Sequence, residues 1–583
     1  MSIGTVTDPP RVADEVQTVV RQRNRLVLVR IVLVLAAGIG AALRLWYLFH
    51  NALNADEGSV GLAAQSILNG HFNAFYPGQL YGGVEPYMTA ALFGVFGQSA
   101  LMVKMTPLLL SLIGAVLTWR ITLRLVGDRQ VAALAGVLVW VAPLAAVWNS
   151  TVERGFRGIT MVCGLACLLF ALRCLDGQRG YLDIAGLGVF LGVGWWSSPE
   201  IAYFLVPTGL ILIGAVVVSP SGHRIAVWVP RIMVGLAAVG LGALPWLWVN
   251  VPGFRSLKAS SFPGGRVKAN PGYGGRVDIF FNHVLPMQTN LVGPDKESEV
   301  FTHSVQLGFQ FGFDALVVIA LVLCVVKGGR GLAIAAGAVA LPFLFALQPG
   351  TWFWQDGRYG VFVGALLTLV LAIACDEAPL LIGRFRQRRQ EPKRQPQRFR
   401  HRQAGVSSPA RLLMCGVVVV SAALTVVSFR QTASWFAPQS GGFFSDWGDP
   451  NAATIRAIDR LEAAGVRTGY AEYWLAYDFD FLSKERLAIT TVPGADTNRY
   501  KSLNRIVETS PAPAWLFVPP DKISEGFQLF ANTEAIIGPA SLSQTAFVAK
   551  LNALGVPYRI VDAGVVQAVI PSRPVTPKQV GLP

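Results

Sequence analysis

Residues 26–49, LVLVRIVLVLAAGIGAALRLWYLF, form an apolar run long enough to cross a lipid bilayer, for which about 20 residues suffice. The run is longer than the core of a signal peptide and shows no convincing cleavage site, so we predict a retained membrane anchor. The preceding residues 1–25 are polar and contain four arginines, which predicts a cytoplasmic tail. We expect Arg44, near the outer end of the run, to extend its side chain to the membrane surface.

Residues 51–87, NALNADEGSVGLAAQSILNGHFNAFYPGQLYGGVEPY, follow this run and contain three acids, Asp56, Glu57 and Glu85, but no Lys or Arg. Carboxylates at a membrane surface without a local counter-charge need a partner from elsewhere in the chain or from a ligand. The partner could be a metal ion, a distant arginine or a substrate hydroxyl that gives up its proton. The alternative is a solvated loop that carries ordinary surface acids.

The composition is that of a polytopic helical membrane protein, because 53% of the 583 residues are hydrophobic, 14% are charged and the mean hydropathy is +0.48. The net charge of +15 lies mainly in short segments between apolar runs, which is the pattern of basic cytoplasmic connections rather than of nucleic-acid binding. The six cysteines lie in or beside apolar runs and indicate neither a disulfide framework nor a zinc site.

The apolar runs predict about eleven membrane spans between residues 26 and 429, with a cytoplasmic N-terminus and an extracytoplasmic C-terminus. The spans are 26–49, 100–123, 131–148, 157–175, 181–197, 200–218, 232–250, 306–326, 331–347, 359–381 and 411–429. Three connections stand out: an outer loop at 50–98 whose end, 85–98, is a partly embedded helix, an outer loop at 251–305, and a basic cytoplasmic linker at 382–410.

Residues 430–583 have balanced charges and alternate β-like runs such as RLAITTV, AWLFVPP and YRIVDAGVVQAVI with helix-like runs such as NAATIRAIDRLEAAGV. This alternation predicts a compact α/β domain on the outer side of the membrane. The domain contains no glycine-rich nucleotide-binding pattern, so we expect no nucleotide cofactor.

The predicted topology brings further polar residues to the outer face. They are Glu153, Arg154, Arg157, Glu200, His283, Arg358 and Tyr359. Arg154 and Arg157, at the start of a helix, could hold a phosphate or could pair with Glu153. The loop 251–305 contains six Lys and Arg residues and could be a basic cover for a phosphate or an ordinary long loop.

The sequence resembles the GT-C superfamily of polyprenyl-phosphate-sugar-dependent glycosyltransferases, in particular the family 39 type with the bacterial lipid A aminoarabinose transferases and protein O-mannosyltransferases. The resemblance rests on NADEGSVGLAAQSILNGHF, PGQLYGGVEPY, a second acid in the next outer connection, and QDGRYG before a late span. One departure is Pro86, where the aminoarabinose branch tends to have Lys after the acid.

The resemblance implies roles for the polar residues of the outer face. Asp56 would be the catalytic base, supported by Glu57 in the outer catalytic loop 50–98. Arg358 and Tyr359 would lie near the lipid phosphate. Arg154 and Arg157, which are candidates for the donor phosphate because of their place at a helix start, would join them. The remaining candidates, Glu85, Glu153 and His283, could contact a divalent metal ion or the substrate.

The predicted function is sugar transfer from a polyprenyl-phosphate donor to an envelope glycan, lipid or protein at the outer face of the plasma membrane. Such a reaction needs a base for the acceptor hydroxyl and cations for the departing phosphate. Two alternatives remain: a transporter or flippase of lipid-linked sugars, and a membrane-anchored glycan-binding protein. The first predicts polar residues in mid-membrane, whereas the spans are apolar at their centres; the second leaves the acids around Asp56 unexplained.

Overall fold

The structure is a computed structural model that describes residues 9–79, 81–177, 180–218, 224–251, 271–290, 303–348, 357–390, 407–436, 448–492, 498–519 and 538–582. Long helices make up its first part. In chain order they are α1 Pro9–His50, α2 Ala55–Leu68, α3 Val84–Phe96, α4 Ala100–Val126, α5 Arg129–Val141, α6 Leu144–Asn149, α7 Arg157–Leu175, α8 Tyr181–Ser197, α9 Leu205–Val218, α10 Arg224–Gly242, α11 Leu244–Asn250, α12 Tyr273–Ile279, α13 Leu285–Met287, α14 His303–Lys327, α15 Arg330–Leu347, α16 Gly360–Gln390 and α17 Ser407–Phe436. A 3-10 turn, Pro199–Phe204, precedes α9, and a π-helical turn, Phe280–Val284, joins α12 to α13.

Within the described residues, eight helices are long and apolar enough to cross a membrane, which confirms the prediction of a polytopic helical membrane protein. A ninth crossing results if α10 and α11, bent by 70° at their junction, form one span. The predicted span 131–148 is divided, because α5 ends at Val141 before Pro143 and the short α6 follows. The number of about eleven crossings therefore stays a prediction.

The helix α16 lies at the centre of the membrane part. Its side chains Leu366, Leu369 and Ile373 are at most 1% exposed, and it packs against α4, α5, α14, α15 and α17. By contrast, α14 leaves Phe311 and Val318 largely exposed, as expected of a helix that faces lipid.

The C-terminal part contains a five-stranded mixed sheet with helices, as predicted. Its elements are α18 Ala452–Ala463, β1 Thr468–Tyr470, α19 Tyr473–Leu482, β2 Ala488–Thr490, α20 Lys501–Glu508, β3 Ala514–Phe517, α21 Gln544–Ala553, β4 Tyr558–Asp562 and β5 Gln567–Pro571. The strand order is β2-β1-β3-β5-β4. Strand β1 is parallel to β2 and β3, and β5 is antiparallel to β3 and β4.

The C-terminal domain packs directly on α2 through the helix α19. At Gly58 an added Cβ would lie 2.5 Å from the carbonyl oxygen of Tyr477, and at Gly61 it would lie 2.5 Å from the ring of Phe481. The two glycines therefore let the backbones of α2 and α19 approach closely. This contact places the C-terminal domain over the start of α2.

Arg44 does not extend to the membrane surface, so that prediction is wrong. Its side chain is 2% exposed and donates hydrogen bonds to the carbonyl oxygens of Gly40 and Trp140 and to the hydroxyl of Ser111. A buried guanidinium needs such partners, and Arg44 here joins α1 to α4 and α5.

Several predicted segments lie outside the described residues. They are most of the loop 251–305, including Arg255, Lys258, Arg266 and Lys268, the linker residues 391–406, and residues 351–356 before Arg358. Of the basic residues of the loop 251–305, Arg276 is described and is buried, with its guanidinium donating to the carbonyl oxygens of Ala346 and Pro271.

Candidate active site

The acids Asp56 and Glu57 lie on a helix rather than in the predicted loop. The side chain of Asn54 accepts a hydrogen bond from the Glu57 amide at 3.1 Å, and the Glu57 carboxylate accepts one from the Asn54 amide at 3.0 Å. This reciprocal cap begins α2 at Ala55. The residues Asn54-Ala-Asp-Glu57 have the spacing of such a cap, which is the signal that could have revealed the helix.

Glu57 is neutralised by a lysine that sequence analysis missed. Its Oε1 atom lies 2.8 Å from Lys104 Nζ, and the two side chains are 0% and 1% exposed. The same oxygen accepts a hydrogen bond from the backbone amide of Glu153 at 3.3 Å. Because the carboxylate is enclosed and fully engaged, Glu57 can hold the connection at Glu153 in place. A single lysine inside the apolar run 100–123 was the available signal.

Asp56 is more accessible and is held from several sides. Its side chain is 14% exposed, and Oδ2 lies 3.5 Å from Arg154 Nη1. Its Oδ1 accepts a hydrogen bond from the hydroxyl of Tyr473, and its carbonyl oxygen accepts one from Tyr76 at 3.1 Å. Arg154 is itself fixed, because its Nε donates to Asn149 Oδ1 at 3.1 Å.

Glu85 and Glu153 form a buried pair of neighbouring carboxyl groups. Glu85 accepts from the Ile159 amide at 2.8 Å, and Glu153 accepts from the Gly155 amide at 2.6 Å. Burial raises the pKa of both groups, and the charge of Glu85 raises the pKa of Glu153 further, well above its usual range. Burial and the neighbouring carboxyl group together favour the protonated form of Glu153.

Three predicted phosphate-binding arginines line one cavity. This arginine cavity is lined by Arg154, Arg157 and Arg358 and also by Glu85, Asn149 and Ser111. The Nη2 of Arg157 lies 3.4 Å from Glu200 Oε1, and its guanidinium stacks 4.7 Å from the ring centre of Tyr359. The acidic partner of Arg157 shown by the structure is thus Glu200. The ring of Tyr359, which is 4% exposed, therefore makes a cation–π contact with Arg157.

His283 lies apart from this cavity. It occupies the π-helical turn Phe280–Val284, half-buried near Asp278, where burial lowers the pKa of its imidazole. Among the described residues, no group of three or more His, Cys, Asp or Glu side chains could hold a metal ion. Glu85 and Glu153 are therefore a pair of carboxyls without a third ligand in the part of the chain that the structure describes.

Two residues of the C-terminal domain belong to the site and were missed. They are Tyr473 and Arg499. Arg499 Nη2 lies 3.5 Å from the Tyr473 hydroxyl, and its guanidinium lies 5.4 Å from the ring centres of Tyr76 and Tyr473. Because Tyr473 lies 417 residues beyond Asp56, no local pattern could predict the contact.

No family model matches the sequence, and no curated protein matches it significantly. Among solved structures, ArnT from Cupriavidus metallidurans in the apo state is similar over 92% of this chain and 97% of that chain, with a TM-score of 0.50 and 12% sequence identity. The same protein bound to undecaprenyl phosphate has a TM-score of 0.49 at the same identity and coverage.

The archaeal oligosaccharyltransferase AglB from Archaeoglobus fulgidus, in complex with an inhibitory peptide and a dolichol-phosphate, is similar over 83% of this chain and 69% of that chain. Its TM-score is 0.43 and its identity is 12%. The likeness to the apo ArnT structure, with its TM-score of 0.50, shows a common fold, and its 12% identity leaves the reaction to be argued from the side chains. The chain has the fold of ArnT.

Proposed function

We propose that this protein is a membrane glycosyltransferase that moves a sugar from a polyprenyl-phosphate donor to an envelope glycan, lipid or protein at the outer face of the plasma membrane. The supporting observation is that Arg154 borders both Asp56 and the arginine cavity. Its guanidinium faces Asp56 at 3.5 Å and also lines the cavity that it shares with Arg157 and Arg358. A carboxylate that could act as the base therefore lies beside a cavity lined by three cations, and sugar transfer from a phosphate requires both.

In the proposed reaction, the hydroxyl oxygen of the acceptor forms a bond to the anomeric carbon of the donor sugar. The bond between that carbon and the phosphate oxygen breaks, and the phosphate leaves with both electrons of the bond. Asp56 accepts the proton of the hydroxyl group. The arginines of the cavity stabilise the negative charge that develops on the phosphate, because charge-assisted hydrogen bonds are stronger than those between neutral groups.

Glu57 has a different role from its neighbour in this proposal. Its carboxylate is 0% exposed and is bound to Lys104, so an acceptor hydroxyl does not reach it. Glu57 instead fixes the start of α2 and the amide of Glu153, and thereby the positions of Asp56 and Arg154.

An apolar groove supports a donor that carries a lipid chain. The groove has a volume of about 750 Å³ and is lined mainly by apolar residues of α14, α16 and α17, among them Leu316, Leu371 and Val420. Gln288 also lines it and packs against Gly360, next in sequence to Tyr359. In this proposal a polyprenyl chain lies in the groove and its phosphate in the arginine-lined cavity, whose lining includes Val361, next in sequence to Gly360.

No step of the proposed reaction passes through a metal ion. Burial favours the protonated forms of the Glu85 and Glu153 carboxyls, and the pair has no third ligand among the described side chains, which fits a divalent ion poorly. The pair is better suited to anchoring the amides of Gly155 and Ile159 beside the arginines.

The proposal is tested with purified full-length protein in liposomes, supplied with polyprenyl-phosphate donors that carry different radiolabelled sugars and with an envelope extract as acceptor. We expect free polyprenyl phosphate to be released and label to appear in the acceptor fraction for at least one sugar. Movement of intact donor across the bilayer without cleavage of the sugar–phosphate bond would instead indicate a flippase.

A further inference from the structure

The C-terminal domain places a hydroxyl group on the proposed base. Tyr473 is the first residue of α19 and is 4% exposed, and its hydroxyl donates a hydrogen bond to Asp56 Oδ1. Its ring packs edge-on against Trp474 and Tyr477, with centroids 5.0 and 5.7 Å away. The ring is therefore held by its neighbours, and the hydroxyl has a fixed position.

Arg499 sets the direction of this hydrogen bond. Its Nη2 lies 3.5 Å from the Tyr473 oxygen, and its backbone amide donates to the hydroxyl of Tyr477 at 2.7 Å. A guanidinium group can only donate, so the Tyr473 oxygen accepts from it and directs its own proton to another acceptor. That acceptor is Asp56 Oδ1. Two successive hydrogen bonds thus run from Arg499 through the Tyr473 hydroxyl to the Asp56 carboxylate.

The chain distinguishes the two oxygens of Asp56. Oδ1 is occupied by Tyr473, whereas Oδ2 faces Arg154, which lines the arginine cavity. We propose that Arg499 and Tyr473 are positioning residues that lock the Asp56 carboxylate so that Oδ2 receives the proton of the acceptor. The inference rests on the proposed function and extends it, since it makes the C-terminal domain a part of the active site.

Burial raises the pKa of the Tyr473 hydroxyl, so Tyr473 remains a donor throughout the physiological pH range. The hydroxyl is also not needed to attach the domain. The Leu53 amide donates to Asn451 Oδ1 at 2.8 Å, the Tyr500 hydroxyl donates to the Ser59 carbonyl at 2.6 Å, and α2 and α19 share an apolar core. Removal of the single oxygen of Tyr473 should therefore leave the docking of the domain in place.

The test compares Tyr473→Phe with Tyr470→Phe in the full-length protein. Tyr470 is a buried tyrosine of the same domain that packs on Trp515, with ring centroids 4.8 Å apart. For Tyr473→Phe we expect kcat to fall about 10- to 100-fold, since a hydrogen bond to a charged group is lost, while the KM for the donor stays within about twofold. For Tyr470→Phe we expect kcat and KM like those of the wild type.

A second pair of variants keeps the inference testable if Tyr473→Phe folds poorly. Arg499→Lys retains a charged donor beside Tyr473 and should keep most of the wild-type kcat, whereas Arg499→Gln should lower kcat as Tyr473→Phe does. A wild-type kcat in Tyr473→Phe, or equal kcat values in Arg499→Lys and Arg499→Gln, would overturn the inference. Failure of the wild-type protein itself to release polyprenyl phosphate would instead overturn the proposed function.

Discussion

Asp56 and Glu57 are adjacent carboxylates in opposite environments. Successive residues of an α-helix point about 100° apart, so at the start of α2 one side chain enters the protein while the other faces the site. The outcome is an exposure of 0% for Glu57 and 14% for Asp56. Sequence analysis predicted both residues as site residues, and it chose Asp56 as the base from its position just outside the first span, the lack of Lys or Arg in its loop and the family resemblance. The structure adds a physical reason, because the Glu57 carboxylate is held in a buried ion pair with Lys104.

We predict that Lys104→Met strongly destabilises the protein, by about 3–5 kcal/mol, because it leaves the buried Glu57 carboxylate without its partner. The double variant Lys104→Met with Glu57→Gln should recover much of this loss, since no isolated charge is then buried. Thermal unfolding of the three proteins in the same detergent measures the effect. A double variant no more stable than Lys104→Met would show that the ion pair is not the cause.

Arg358 is predicted to act on donor binding rather than on folding. Arg358→Ala removes one of the three cations of the cavity, so the KM for the donor should rise while the unfolding temperature changes little. Arg157→Ala is the contrasting variant, because it also leaves the buried Glu200 without the arginine that pairs with it at 3.4 Å and should lower stability. Unchanged donor affinity in purified Arg358→Ala would exclude Arg358 from the phosphate site.

At the scale of elements, the contact of α2 with α19 is what assembles the site. Helix and strand positions were largely predictable, because apolar length and periodicity are local: the span predicted at 157–175 is α7, and the run AWLFVPP contains β3. The packing of α19 on α2 was not predictable, since it depends on two surfaces that are complementary in shape and distant in sequence. In the sequence, Gly58 and Gly61 are small residues of a predicted loop. Their role in close packing is evident only from the position of α19 in the structure.

Gly58→Ala should therefore impair the enzyme by displacing α19. The added Cβ meets the carbonyl oxygen of Tyr477 at 2.5 Å, a backbone atom that cannot rotate away, so Tyr473 would move off Asp56. The matched control is Gly94→Ala in α3, where the nearest atom is a Leu68 side-chain carbon at 3.8 Å. We expect lower kcat and a lower unfolding temperature only for Gly58→Ala. Equal behaviour of both variants would show that close packing at Gly58 is not required.

At the scale of the whole molecule, the account requires the arginine cavity and the C-terminal domain to lie on the same side of the membrane. The structure meets this requirement, because Asp56 contacts Arg154 from the membrane part and Tyr473 from the C-terminal domain. The basic connections of the sequence predict that this side is the exterior. The composition could predict the membrane class, but not the domain docking that completes the site, and the orientation stays a prediction.

The orientation is checked with reporter fusions after residues 395 and 440. We predict a cytoplasmic signal from the first and an extracytoplasmic signal from the second, because the linker 382–410 is strongly basic and one apolar span, 411–429, separates the two positions. The reversed pattern would place the proposed active site on the cytoplasmic face.

The most direct test of the proposed catalysis is the turnover of Asp56→Asn, measured as release of free polyprenyl phosphate from a labelled donor by folded, purified protein. Asparagine keeps the size of the side chain and can still accept from Tyr473, but it cannot take up the proton of the acceptor. Loss of general-base action should lower kcat by about 10²–10⁴-fold. Near-wild-type turnover in Asp56→Asn would contradict the role of Asp56 as the base.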